Sequence, residues 1–131
     1  MALFEKLKLL VNLARIDGNM AERERNYILN IGKANGFPES SVGTLFYSTH
    51  EVIMPESMSA EEKFDYIFSL VQLMRLDERL YQEELKFCFK IAERLGYSQE
   101  AIFELLMHVK NVTDQESQRV LRGLVDKYLK K

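Results

Sequence analysis

Laid on itself at an offset of 60 residues without a gap, the chain repeats: LARIDGNMAERERNYILNIGKANGF falls on LMRLDERLYQEELKFCFKIAERLGY. Phe4/Phe64, Leu10/Leu70, Val11/Val71, Leu13/Leu73, Arg15/Arg75, Asp17/Asp77, Glu24/Glu84, Ile31/Ile91, Gly36/Gly96 and Leu45/Leu105 are identical pairs. Self-similarity at a fixed period means that one supersecondary unit is used twice, and each copy buries against the other the face it cannot bury alone. The chain is therefore restricted to folds that divide into two like halves.

Periodicity says what each half is made of. Apolar residues recur at three and four, no stretch alternates like a strand, and the 131 residues include only two prolines and six glycines, so nearly every segment reads as helix. A first helix runs from about Leu3 to Ile16, a turn follows at Asp17-Gly18, and a second runs from about Met20 to Asn35 with Gly36 as its C-terminal cap. Pro38 opens a short third helix to about Ser48. Ser59 and Glu62 have the spacing of a capping box for a fourth, Ala60 to about Leu76. The fifth spans Tyr81 to Leu95 and ends at Gly96. Ser98 caps a sixth that reaches about Lys110, and Thr113 with Glu116 is spaced as a capping box for a last helix ending near Lys131. The expectation is an all-α fold of about seven helices in one domain, 1–131. It consists of two pseudo-symmetric helical hairpins, about 3–48 and about 60–110, plus a C-terminal helix over about 114–131.

A domain of this length buries roughly two thirds of its unfolded surface, and 47% hydrophobic residues supply a core that needs neither a disulfide nor a metal. A net charge of -2 gives no drive toward nucleic acid or anionic lipid. The first helix carries charges every few residues, so the sequence predicts neither a signal peptide nor stable membrane insertion, and a cytoplasmic protein. The lone Cys88 sits in an apolar helical stripe and reads as a buried core residue. His50 and His108 lack zinc-ligand spacing, His50-Glu51 is not followed by a second His in metalloprotease register, and no phosphate loop or nucleophile elbow is present. The expectation is a protein that is not an enzyme. Val52, Ile53, Met54 and Met58 form an apolar connector, expected to cover the seam between the repeats, the alternative being exposure for a partner.

Most of the repeated positions are the apolar and capping residues that any two helical hairpins need. Asp17 and Asp77 are different: each stands at the C-terminal pole of a helix, where a carboxylate is unfavourable, in line with Leu10 and Leu13 or Leu70 and Leu73. Glu24 shares a face with Met20, Tyr27 and Ile31, and Glu84 shares one with Leu80, Phe87 and Ile91. A carboxylate in an apolar stripe needs a partner. Two explanations stand. Either the acids are structural, with Asp-Gly making a turn, each Glu reaching back to free amides in the first helical turn, and Arg15 and Arg75 giving counter-charge. Or Asp17 with Glu24, and Asp77 with Glu84, hold a hard divalent cation (calcium, magnesium or manganese) weakly, with Asn19, backbone carbonyls and water completing the shell. Asp17-Gly18-Asn19 is not an EF-hand, which needs glycine at its sixth position and glutamate at its twelfth.

The string LARIDGNMAERERNYILNI, an apolar helix ending in Asp-Gly with Glu24 seven residues after Asp17, resembles the tellurite-resistance TerB family. The resemblance covers residues 3 to about 110. It implies an internally duplicated all-helical fold whose acidic residues bind metal, here Asp17 and Glu24, with Asp77 and Glu84 as repeat partners. The second copy departs from the pattern, with Glu78 where the first has Gly18. TerB-like domains also occur in stress-response proteins and in DnaJ-like co-chaperones, so the resemblance implies a binding or adaptor domain whose partner is another protein. The alternative is a pure protein-protein interaction domain with structural acids and no metal.

Overall fold

The computed structural model describes residues 2–16, 21–47, 50–51, 57–76 and 82–129. Among them are seven α-helices: α1 (Ala2–Ala14), α2 (Glu22–Ala34), α3 (Glu39–Gly43), α4 (Ala60–Leu76), α5 (Gln82–Leu95), α6 (Glu100–His108) and α7 (Gln115–Asp126). Short 3-10 turns, Thr44–Tyr47 and Val109–Asn111, extend α3 and α6. The described residues contain no strand, only an isolated antiparallel bridge between Tyr97 and Leu129.

The repeat-related helices α1 and α4 pack along each other at the centre. Both are buried over more than one stripe: Leu7, Leu9, Leu10, Val11, Leu13 and Ala14 in α1, and Phe64, Ile67, Phe68, Leu70, Val71, Leu73 and Met74 in α4. Such all-round burial is how a helix at the middle of a bundle reads. α2 lies on α1, and α5 lies on α4. Each outer helix buries one narrow stripe, Glu24, Ile28 and Gly32 in α2 and Glu84, Cys88 and Ala92 in α5, which are the same positions 60 residues apart. α3 packs on α2, α6 packs on α4 and α5, and α7 closes the molecule against α6 and α4.

The helix ends repeat as closely as the core. Gly36 and Gly96 have φ of 87° and 99°, a region that costs other L-residues energy. In the first repeat the N–H of Phe37 donates to the Gly32 carbonyl at 2.9 Å and that of Gly36 to the Lys33 carbonyl at 3.1 Å. In the second, Tyr97 donates to Ala92 at 2.9 Å and Gly96 to Glu93 at 3.0 Å. Both are the two-bond arrangement that satisfies carbonyls at a helix C-terminus. At the start of α4 the Ser59 N–H donates to Glu62 Oε1 at 2.9 Å and the Glu62 N–H to Ser59 Oγ at 3.1 Å, the expected capping box.

Three local expectations are corrected. The cap of α7 is shifted by one residue: Asp114 Oδ1 accepts the Ser117 N–H at 2.8 Å, and Ser117 Oγ accepts the N–H groups of Thr113 and Asp114 at 3.0 and 3.1 Å. An ionised Asp with extended backbone, φ -150° and ψ 179°, is a stronger acceptor than the Thr113 hydroxyl. α6 is preceded by Gln99, which makes no side-chain cap bond. Ser98 is engaged through its backbone, donating to the Tyr128 carbonyl at 3.0 Å and accepting from Ala101 at 3.1 Å. α7 ends at Asp126, and the chain turns so that Tyr128 and Leu129 meet the α5–α6 corner.

Candidate functional site

Glu24 and Glu84 are 4% and 3% exposed, each in the first turn of an outer helix that lies on a central one. Glu24 Oε1 accepts the Ala21 N–H at 3.1 Å. That is the reach-back half of a capping box, since Ala21 has no side-chain acceptor to supply the other half. The positive pole of α2 favours the carboxylate there. Asp17 and Asp77, with Gly18, Asn19 and Glu78, lie outside the described residues, so the expected approach of Asp17 to Glu24 also lies outside them. Among the described residues no group of three or more His, Cys, Asp or Glu side chains is arranged to hold a metal ion.

The two repeat-related arginines are placed differently. Arg15 Nη1 donates to the Phe46 carbonyl, while Arg75 Nε is buried with no hydrogen-bond partner among the described residues. Arg15 belongs to a polar clasp that ties the chain after α3 to the end of α1. Asn12 Nδ2 donates to the His50 carbonyl at 2.7 Å, the His50 N–H returns to Asn12 Oδ1 at 2.9 Å, and His50 Nε2 lies 2.8 Å from the Leu45 carbonyl. His50 is thus a structural residue of that clasp. Val52, Ile53 and Met54 of the connector lie outside the described residues, while Met58 is half-buried against the core.

Two further polar links cross between halves or layers. Lys6, 5% exposed, places Nζ 2.6 Å from Asp65 Oδ2, joining α1 to α4. Tyr27 donates its phenol to Gln72 Oε1 at 2.6 Å, joining α2 to α4, and its burial raises its pKa well above that of an ordinary phenol. Cys88 is fully buried, as its stripe position predicts. Burial, with a smaller contribution from the Glu84 charge, pushes its thiol up to about 12, so it offers no thiolate for chemistry.

Two surface concavities flank α7, and a third of about 480 Å³ lies between α2 and α3, around Arg25, Leu29 and Tyr47. Between α4 and α7 is a polar cleft of about 490 Å³, with Glu61, Glu62 and Asp65 on one wall and Arg119 and Arg122 on the other. On the opposite flank of α7, against the end of α6, is a groove of about 230 Å³ lined by His108, Asn111, Val112, Ser117, Val120, Leu121 and Leu124. Its outer lip is apolar and exposed: Val120 is 63% and Leu124 38% exposed. This surface was not among those expected from the sequence. Its signal was present, because α7 carries Val120 and Leu124 four residues apart in addition to the buried Leu121 and Val125, an apolar arc wider than one packed face requires.

Comparison with known proteins returned no matching family model, no similar curated protein and no similar solved structure. Among the described residues no helix is long and apolar enough to cross a membrane.

Proposed function

We propose that this chain is a TerB-like, non-catalytic helical adaptor of the cytoplasm that docks an amphipathic helix on the outer flank of α7. The observation that carries the reading is the apolar groove between α6 and α7 with Val120 and Leu124 on its lip. Its volume of about 230 Å³ is below the range of cofactor and small-molecule pockets, roughly 300–1,000 Å³, and suits one or two inserted side chains. An amphipathic helix offers such anchors at i, i+3, i+4 and i+7. The test is a displayed library of amphipathic helical peptides selected against the purified protein. Binders with that spacing are expected, and Leu124→Glu or Val120→Glu, both at exposed positions, should weaken them about tenfold or more without changing the circular dichroism of the protein. Selection that yields no binders, or binders indifferent to both substitutions, overturns the reading.

The second reading is a divalent cation held weakly at Asp17 and Glu24, with Asp77 and Glu84 as the repeat-related pair. What favours it is the burial of both glutamates at equivalent points of the two repeats, each seven residues after an aspartate. A ligand bound only by the folded state stabilises it once its concentration passes Kd. Millimolar calcium, magnesium or manganese should therefore raise Tm, and the Asp17→Asn, Glu24→Gln double variant should abolish the rise. A melting curve indifferent to all three cations removes the metal and leaves the carboxylates as helix-capping groups.

A further inference from the structure

We infer that the helix docked on α7 is α7 of a second copy of this chain, crossing it antiparallel over Gly123. The inference rests on the docking reading for the choice of surface and goes beyond it in naming the occupant. Glu116, Val120, Gly123 and Lys127 are spaced four, three and four apart and are all exposed. They have the four-three spacing of a heptad, with Val120 as the apolar side chain among them, on the side of α7 turned away from the buried Leu121 and Val125.

Gly123 is the glycine among the described residues that stands inside a helix with nothing in the monomer to require it. A glycine inside a helix costs about 1 kcal/mol relative to alanine. Gly36 and Gly96 have positive φ, at Gly32 a Cβ would come within 2.5 Å of Val42 Cγ2, and Gly43, where a Cβ would also meet nothing within 4 Å, is the last residue of the short α3 and not inside a helix. At Gly123 the backbone is ordinary helix, and a Cβ would meet nothing within 4 Å. An exposed helical glycine beside an exposed valine makes a hole next to a knob, and its use is close approach of another backbone.

The seam is complementary to itself in one orientation. In an antiparallel pair centred between Leu121 and Arg122, Val120 of each copy sits over Gly123 of the other. Glu116 of each then stands opposite Lys127 of the other, so every contact occurs twice, as a two-fold interface requires. A parallel pair would set Glu116 against Glu116 and Lys127 against Lys127. Within the described residues neither Glu116 nor Lys127 is ion-paired; Lys127 Nζ lies 5.1 Å from the Tyr128 ring centroid. Leu124 flanks the seam and carries the apolar contact into the groove. A helix of twelve residues is about 18 Å long and about 10 Å wide, a face of roughly 200 Å², well short of the roughly 800 Å² per partner of a stable interface. The dimer is therefore weak and depends on concentration.

Sedimentation equilibrium on the full chain tests this over about 1 μM to 1 mM, a range chosen to bracket interfaces below standard size. The weight-average mass is expected to rise from 15.4 kDa toward twice that value. Gly123→Leu fills the hole while adding helix propensity, so it should keep or raise Tm and weaken dimerisation at least tenfold. Glu116→Lys and Lys127→Glu should each weaken it, and the double variant should restore it. A wild-type mass that stays at 15.4 kDa throughout, a Gly123→Leu variant that dimerises like the wild type, or a charge exchange without recovery overturns the inference. A monomer that still binds the selected helical peptides loses the second copy as occupant and keeps the docking surface. A monomer that binds none loses both.

Discussion

Single residues in this chain are informative where two physical demands compete. At Gly32 helix propensity favours alanine by about 1 kcal/mol, but the added Cβ would lie 2.5 Å from Cγ2 of the buried Val42. Overpacking of a closed core costs about 1–3 kcal/mol and outweighs the propensity. Gly32→Ala is thus expected to lower stability by about 1 kcal/mol net in urea unfolding, and Val42→Ala in the same chain should recover part of that loss. Ala92 holds the equivalent place in the second repeat, so the requirement belongs to the α2–α3 contact and not to the repeat. Glu24 and Glu84 illustrate the opposite case. Their burial was legible in the sequence, because they stand in an apolar stripe at helical spacing. The half-cap that Glu24 forms with the Ala21 N–H was legible too, since a glutamate three residues into a helix reaches back whatever precedes it.

Elements start and stop through bonds spanning three to five residues. That is why Ser59, Glu62, Gly36 and Gly96 could be placed without knowledge of the fold. The sequence Thr113-Asp114-Gln115-Glu116-Ser117 holds two overlapping caps, and the one formed uses Asp114 and Ser117. Bonds from the Ser117 N–H and hydroxyl hold the Asp114 carboxyl below its usual range. A depressed carboxyl contributes stability that is present above its unfolded value and lost as pH falls through the folded one. The thermal transition should therefore lose more stability between about pH 5 and pH 2 in the wild type than in Asp114→Asn, which keeps an acceptor and cannot titrate. Equal acid sensitivity of the two proteins would remove the carboxylate from the cap. α3 was expected to run to about Ser48 and instead tightens into a 3-10 turn at Thr44, where Leu45 and Phe46 are buried and the Phe46 carbonyl is taken by Arg15.

At the scale of the whole molecule the two halves meet along α1 and α4, and Lys6 to Asp65 is a polar bond across that contact. Lys6 falls opposite Tyr66 when the repeats are aligned, a hint of burial that the charge disguised. Its amine is taken from water to meet a carboxylate whose side chain is 50% exposed. Removing one partner of such a pair costs more than replacing the buried member by an apolar group of similar length. Asp65→Ala should lower stability by about 1–2 kcal/mol, discounted for the exposed partner. Lys6→Met should be neutral or stabilising, and the double variant should resemble Lys6→Met in urea unfolding. An Asp65→Ala variant as stable as the wild type would show that the pair contributes little. The sequence by itself determined the helices, the caps at Ser59, Gly36 and Gly96, the duplication and the stripe that buries Glu24, Cys88 and Glu84, because periodicity and capping act within about one turn of chain. Only the tertiary structure decided that α1 and α4 are central, that Lys6 meets Asp65, that Arg15 serves the Phe46 carbonyl, and that Val120, Gly123 and Leu124 are left on the outside. Those outcomes depend on which helices touch and how they cross. α7 has no counterpart in the first repeat, so the sequence showed an apolar arc wider than one face but not which part of it would be covered.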